Sequence, residues 1–290
     1  MDRLPRKKAS DVFVDEHIEA HTSDNEDHTF AGIMFNVSVA NLPFEAVQIS
    51  SVWIRGGLGP ISIWSTPEGF EDKREKQEEW ENHYSKQHRA SLYQFKEMKL
   101  KKPILLSAGE TRGIYIHSAC EGDEQIVYDD KRGRQTYSDF CLKIRPGYAH
   151  LSHVPFSAEH TNWGGWGPAW RDNRAFVGKL DYGIKWLRWN PEVHVQLPSF
   201  FRKIVWCLLM SQHARASCSF LHVLEENSLF YIINSVNWWE MAGSKKALRR
   251  KKVVREEAEE LAGKKSKKRS RMSWPGLNYY VDDVAEGDEL

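Results

Sequence analysis

The fold of this chain is decided by three stretches close to its start, AGIMFNVSV (31–39), AVQISSVWI (46–54) and GPISIWST (59–66). Each is rich in Val, Ile and aromatic residues, and apolar and polar residues alternate along much of their length. This pattern is typical of strands with one buried face. The glycine-rich segment GGLG between the second and third stretches predicts a turn. We therefore expect consecutive antiparallel strands.

The same residue pattern continues through KKPILLSAGETRGIYIHSA (101–119), EQIVYDD (124–130), DFCLKIR (139–145) and AFVGKLDYGIKWLRW (175–189). The first of these predicts a hairpin of PILLS with GIYIH, and the next two predict a second hairpin. Because these strands do not alternate with amphipathic helices, the sequence predicts a mainly β fold, an antiparallel β-sandwich of jelly-roll type over residues 30–190.

The segments around the sandwich have different compositions. Residues 1–29 are polar and predict a disordered N-terminal arm. Residues 71–88 fit either a helix or a long hairpin excursion, and the pattern leaves both open. Residues 197–240 carry helical spacing and predict a helical hairpin, followed by a disordered basic and acidic tail at 241–290.

The β segments also resemble a known family, the PHR domain-like β-sandwiches. In that family a G-x-M-F-D-V opening strand and a P-x-x-L-x-x-G-E hairpin recur, and here they correspond to GIMFNVSV and PILLSAGETRGIYIHS. The resemblance covers residues 30–188, with Asn36 where the family usually has Asp. It implies a binding module rather than an enzyme.

Sequence motifs of common enzyme classes are absent from the chain. It contains no G-x-S-x-G, no G-x-x-x-x-G-K-[ST] and no H-E-x-x-H. The four cysteines form no C-x-x-C pair. His117, His150 and His153 could meet as metal ligands, with Asp123 as an oxygen donor, but single histidines at strand ends are more often structural. We therefore expect a non-enzymatic protein with no cofactor and no metal.

A candidate ligand site lies in the loop HTNWGGWGPAWRDNR (160–174). Tryptophans offer flat stacking faces, arginines bind carboxylates or stack on rings, and glycines let the backbone bend closely. The alternative is that the tryptophans plug one end of the sandwich. The predicted ligand-binding residues are Trp163, Trp166, Trp170, Arg171 and Arg174, which would suit a carbohydrate or small ligand.

A candidate docking segment is LEENSLFYIINSV (224–236), which resembles a degenerate F-box core, and the helix before it resembles the two-helix layout of a SOCS-box. Both families dock an apolar helical face onto a ubiquitin-ligase scaffold or linker. The alternative is that the apolar residues complete the core. The predicted docking residues are Leu224, Leu229, Ile232, Ile233 and Val236.

The tail concentrates positive charge, because all 13 Lys and Arg of residues 241–290 lie between Lys245 and Arg271. Two clusters separated by a spacer resemble a bipartite nuclear-import signal, which implies an import receptor as partner. A solvated charged helix is the alternative, and contact with nucleic acid is not excluded. The predicted import residues are Lys245, Lys246, Arg249, Arg250, Lys251, Lys252, Lys264, Lys265, Lys267, Lys268, Arg269 and Arg271.

These observations together predict an adaptor in the nucleus or cytoplasm. The sequence has no apolar run long enough to span a bilayer and no apolar export segment at its start, so no membrane association is expected. The leading hypothesis has the sandwich recognise a protein or small ligand while the helices dock a partner. The alternative is a carbohydrate- or small-ligand-binding module.

Overall fold

A computed structural model describes residues 15–122, 124–130, 135–160, 167–212 and 220–241. Within these residues the chain forms fourteen strands and two α-helices. The strands are β1 (Asp15–His21), β2 (His28–Phe30), β3 (Gly32–Val39), β4 (Phe44–Gly56), β5 (Gly59–Pro67), β6 (Glu81–His88), β7 (Ser91–Leu106), β8 (Thr111–Ser118), β9 (Ile126–Asp130), β10 (Tyr137–Ser138), β11 (Leu142–Ile144), β12 (Gly147–His150), β13 (Trp170–Phe176) and β14 (Lys179–Trp186). The helices are α1 (Ser199–Ser211) and α2 (Glu226–Ser235).

The strands form two antiparallel sheets. The small sheet has the order β1-β14-β4-β7. The large sheet has the order β2-β9-β13-β12-β3-β8-β5-β6, with β11 pairing β3 beside β12 and β10 pairing β11. The prediction of a mainly β antiparallel sandwich followed by C-terminal helices is confirmed.

Strand β3 is buried on both faces and so joins two layers of core. On one face Phe35 stacks on Phe176, with ring centroids 4.6 Å apart. On the other face Met34 belongs to a second cluster, whose remaining buried members are Phe70, Trp80, Tyr115, Phe156, Ala169 and Trp170. Several of these come from the loops that follow β5 and β12. The loops therefore cover the second face of the large sheet, which explains why GIMFNVSV has so little polar surface.

The two hairpins expected in residues 101–145 are not formed. Strand β7 pairs β4 in the small sheet, whereas β8 pairs β3 and β5 in the large one, so the turn at Ser107–Glu110 carries the chain between sheets. Strand β9 pairs β2 and β13, and β11 pairs β3 and β10. Turn residues predict a reversal of the chain, but they do not specify which sheet receives the next strand.

Part of the expected N-terminal arm is folded, because residues 15–21 form β1 on the edge of β14 and residues 28–30 form β2. Ala20 is fully buried, which accounts for the attachment of an otherwise polar segment. In residues 71–88, where two structures were open, the chain makes turns and then forms strand β6 against β5.

The helices attach to the sandwich at the end of β14. The indole Nε1 of Trp238 donates to the carbonyl of Leu187 at 2.8 Å, and its ring meets Trp186 edge-on. Asn234 Nδ2 donates to the carbonyl of Trp189 at 2.9 Å. The chain forms one compact unit up to Trp238 and a second from Trp239, of which the structure describes residues 239–241. No helix in the described ranges has the length and apolar character needed to cross a membrane.

Candidate functional site

The predicted tryptophan and arginine loop leads directly into strand β13. Its first two tryptophans, Trp163 and Trp166, lie outside the described residues. From Trp170 onward the segment pairs β12 on one side and β9 on the other. Because side chains alternate along a strand, Trp170 and Arg171 point to opposite faces. The predicted ligand-binding residues therefore do not form one surface.

Trp170 is a core residue rather than a ligand contact. Its ring stacks on His150 with centroids 3.8 Å apart and planes 12° from parallel, and both side chains are buried. This corrects the prediction for Trp170 and agrees with the alternative of a structural plug. The reason is that the loop after β12 folds over the large sheet and closes this face.

His150 and His117 are held in internal hydrogen bonds. His150 Nε2–H donates to the carbonyl of Ser157 at 2.9 Å, which leaves Nδ1 to accept from the hydroxyl of Tyr115 at 2.6 Å. His117 Nε2–H donates to the carbonyl of Ser152 at 2.9 Å. Burial lowers the pKa of His117 to about 4 and that of His150 to about 3. Both are neutral structural residues, and Asp123, grouped with them in the sequence, lies outside the described residues.

Arg171 and Arg174 line an open pocket of about 290 Å³ between β2, β9 and β13. The Arg171 guanidinium lies 5.0 Å from the centroid of the Phe30 ring, and that of Arg174 lies 5.9 Å from the centroid of Tyr128. Arg174 Nη1 also lies 3.3 Å from Asp130 Oδ1. These two predicted residues are therefore brought together, on a surface that Trp170 does not share.

The wall of this pocket is a row of stacked rings. Tyr128 lies between Phe30, at 5.0 Å, and His28, at 5.8 Å between centroids. Burial raises the pKa of Tyr128 to about 12, so its hydroxyl stays protonated at neutral pH. The wall combines aromatic faces with two cations, an arrangement suited to a planar or anionic group.

Asp27 and Asp130 add carboxylates to the lining of the same pocket, and further carboxylates lie on the neighbouring turn and strand. Arg55 Nη2 lies 2.6 Å from an oxygen of Asp24 and 2.6 Å from an oxygen of Asp27, and its hydrogen bond to Asp24 is the main cause that raises the pKa of Arg55. Asp129 accepts from the backbone N–H groups of Asn25 and Glu26 and so fixes the turn before β2. Burial raises the pKa of Asp129 to about 6.

One group of potential metal ligands lies at this edge of the sheet. Ligand atoms of Glu26, His28 and Asp130 are within 4.8 Å of one another. These residues were not predicted from the sequence, because Glu26 and His28 fall in the expected arm. The sequence pattern that could have predicted this group is the alternation in HTF and IVYDD. It places His28 and Phe30 at alternate positions of one strand, and Tyr128 and Asp130 at alternate positions of another.

The predicted docking residues of α2 divide into two sets. Leu229 and Ile233 are 2% exposed and belong to the core, which corrects their assignment to a partner surface. Ile232 and Val236 are exposed, and Leu224 is half-buried. The cause is that Trp189 and Trp238 hold this helix on the end of the sandwich, so its inner face is buried within the protein.

A second exposed apolar surface is the outer face of α1, which was not predicted from the sequence. Phe201 and Val205 are buried one turn apart and seat the helix. On the other side Trp206 is 61% exposed and Met210 53%, and Phe200 and Ile204 are exposed as well. Arg202 and Lys203 are the only charged residues of the helix. We call the exposed set Phe200, Ile204, Trp206 and Met210 the α1 outer face.

The predicted nuclear-import residues, from Lys245 to Arg271, lie outside the described residues.

Comparisons with known proteins identify no family for this chain. No protein-family model matches the chain, and no curated protein matches it. A structure titled "Structure of infectious bursal disease virus Gx strain" aligns with 72% of this chain and 50% of that viral chain, at 11% sequence identity and a TM-score of 0.22. This chain thus spans about half the length of the viral one. At that TM-score the match supports no conclusion about fold or function.

Proposed function

We propose that this protein is a non-enzymatic adaptor that docks a partner protein through the α1 outer face. The observation that carries the proposal is the exposure of Trp206 and Met210 on a helix whose opposite face is already buried. A surface helix normally turns charged and polar residues toward water. Contiguous exposed apolar side chains on a folded unit mark interaction sites.

The residue types of this face suit a protein partner. Tryptophan is enriched among the residues that dominate interface energies, and methionine adapts its shape to the surface it meets. Arg202 and Lys203 add only positive charge, so the partner is an apolar groove with acidic groups at its rim. The resemblance of residues 224–236 to an F-box core supports a ubiquitin-ligase linker or scaffold as that partner.

The resemblance of the β segments to PHR domain-like sandwiches supports a recognition role for the rest of the unit. In this proposal the sandwich holds a second protein or a small ligand. The pocket lined by Arg171 and Arg174 supports the small-ligand version, and it also keeps a ligand-binding module as the alternative function. Import through the two basic clusters would place the adaptor in the nucleus, and without import it acts in the cytoplasm.

The test is direct binding of the purified full-length chain to a recombinant ubiquitin-ligase linker protein, measured by calorimetry. We expect Trp206→Asp or Ile204→Asp to weaken binding at least tenfold, because a carboxylate would be buried against an apolar groove. The matched control is Tyr93→Asp, since Tyr93 is exposed on β7 and belongs to neither helix.

Binding that is equal in all three variants would overturn the assignment of the α1 outer face. Absence of binding by the wild-type chain would overturn the ubiquitin-ligase partner. In that case, sedimentation of the wild-type chain and of Trp206→Asp tests whether the α1 outer face binds a second copy of this chain.

A further inference from the structure

Three side chains at the lip of the β2/β9/β13 pocket converge without bonding directly to one another. His28 Nε2 lies 3.5 Å from Glu26 Oε2 and 3.8 Å from Asp130 Oδ2. Both separations exceed the range of a normal N–H···O hydrogen bond, about 2.7 to 3.2 Å. The ligand atoms of all three side chains lie within 4.8 Å of one another.

Neighbouring groups fix the direction of each side chain. Glu26 Oε2 accepts from the backbone N–H of Asp130 at 3.0 Å. Arg174 lies against Oδ1 of Asp130, which leaves Oδ2 directed toward His28. The His28 ring is stacked on Tyr128. Outer contacts of this kind orient ligands in metal sites.

Arg174 is itself anchored, which makes it a support for Asp130 rather than a competitor for the site. Its Nη1 donates to the backbone carbonyls of Asp172 at 3.0 Å and Asn173 at 3.2 Å. Its position is thus set by the backbone of β13. Asp130 and Glu26 place two carboxylates beside His28 at this lip.

We propose that Glu26, His28 and Asp130 bind a first-row divalent transition-metal ion such as Zn²⁺ or Mn²⁺. Two carboxylate oxygens and one imidazole nitrogen suit these ions, and the absence of a thiolate from the set argues against softer ones. Ligands about 2.1 Å from a metal lie about 3.0 to 3.4 Å from one another. Small side-chain shifts bring the three atoms to this spacing.

The remaining coordination positions open toward the pocket, because His28 and Asp130 also line it. Arg171 lies across that space on the Phe30 ring. A metal with free positions next to a guanidinium recognises an anionic group, a carboxylate or a phosphate, as an additional ligand. This site lies in the sandwich and does not depend on the proposed docking of the α1 outer face.

The experiment is a calorimetric titration of the full-length chain at pH 7, after removal of metals with a chelator. We expect ZnCl₂ to bind with a stoichiometry of one at this site and to raise the melting temperature. His28→Ala and Asp130→Asn each weaken that binding at least tenfold and abolish the thermal shift. The matched control is His17→Ala, an exposed histidine on the edge of the small sheet, which binds like wild type.

A second titration with MnCl₂ separates this site from thiols such as the exposed Cys207, because Mn²⁺ prefers oxygen and nitrogen ligands. The proposal is supported if both ions bind wild type and His17→Ala more tightly than they bind His28→Ala and Asp130→Asn. Binding that is unchanged in His28→Ala, or no binding of either ion by the wild-type chain, overturns it. Circular dichroism of each variant confirms that the fold is intact.

Discussion

At the scale of single residues, the buried pair His117 and His150 makes the stability of the fold depend on pH. The carbonyl of Ser157 can only accept a hydrogen bond, so it fixes the proton of His150 on Nε2 and leaves Nδ1 for Tyr115. Neither ring has room for a hydration shell. The folded protein therefore holds both imidazoles neutral well below the pH at which free histidine takes up a proton.

The expected result is a loss of stability on acidification. The folded pKa values, about 4 for His117 and about 3 for His150, lie below the unfolded value of about 6.5. The unfolded chain thus binds more protons between these limits. The stability that the two neutral histidines contribute is fully present above pH 6.5. It falls toward pH 4 by about 1.4 kcal/mol per pH unit for each histidine.

Urea unfolding of wild type and His150→Gln between pH 7 and pH 5 checks this prediction. The variant should show the shallower decline, because one of the two protonations is removed. His17→Ala serves as the control and should keep the wild-type slope. Equal slopes for wild type and His150→Gln would contradict the assignment of the pH dependence to His150.

At the scale of elements, α2 has an inner and an outer face at consecutive positions. Ile233 is 2% exposed and Ile232 is 38% exposed. The inner face continues through Leu229, and Asn234 bonds the carbonyl of Trp189. The helix is thus a structural part of the sandwich unit, and only its outer face is available to a partner.

The pair Ile232 and Ile233 gives a matched test of this geometry. Ile233→Ala should lower the free energy of unfolding by about 2 to 5 kcal/mol, because it leaves a cavity in the core. Ile232→Ala should change it by less than about 1 kcal/mol, since the side chain is partly in water. Chemical denaturation of both variants measures the difference, and similar losses would show that the helix is rotated from the described position.

At the scale of the whole molecule, the sandwich and the helices form one compact unit up to Trp238. The buried side chains that the helical segment contributes to it include Phe201, Val205, Leu229, Ile233 and Trp238. Removing the helices would expose Trp186 and Trp189, which contact Trp238 and Phe230, to water. We therefore expect the helices to stabilise the sandwich.

A chain ending at Gln196 should consequently lose its cooperative thermal transition, because Trp186 and Trp189 would lose their cover. Thermal unfolding followed by near-ultraviolet circular dichroism measures this loss. A chain ending at Met241 is the control and should melt within a few degrees of the full-length protein. A cooperative transition near the wild-type temperature in the shorter chain would show that the sandwich folds without the helices.

Strand positions were predictable from the sequence where alternation was strong. AGIMFNVSV, AVQISSVWI and GPISIWST correspond to β3, β4 and β5 because their buried side chains recur at every second residue or fill both faces. Pairing was not predictable, since PILLS and GIYIH lie in different sheets. A local pattern records the burial of each side chain, and it carries no information on which strand lies beside it.

The candidate sites were predictable only in part, for the same reason. Arg171 and Arg174 stood out by residue type and do line a pocket. Trp170 stood out equally and is buried under a loop. His28 and Asp130 are about a hundred positions apart in the chain, and only the pairing of β2 with β9 brings them together.

The pairing of β1 with β14 has a consequence for biosynthesis. His17 lies opposite Gly183, and β14 also separates β1 from β4. While the ribosome is still translating the middle of the chain, β4 and β7 can pair, but one edge of β4 remains open. The small sheet closes only after Trp186 has emerged from the exit tunnel. Nascent chains therefore expose a hydrophobic strand edge between the emergence of β4 and that of β14, and chaperones have access to this side of the protein during that interval.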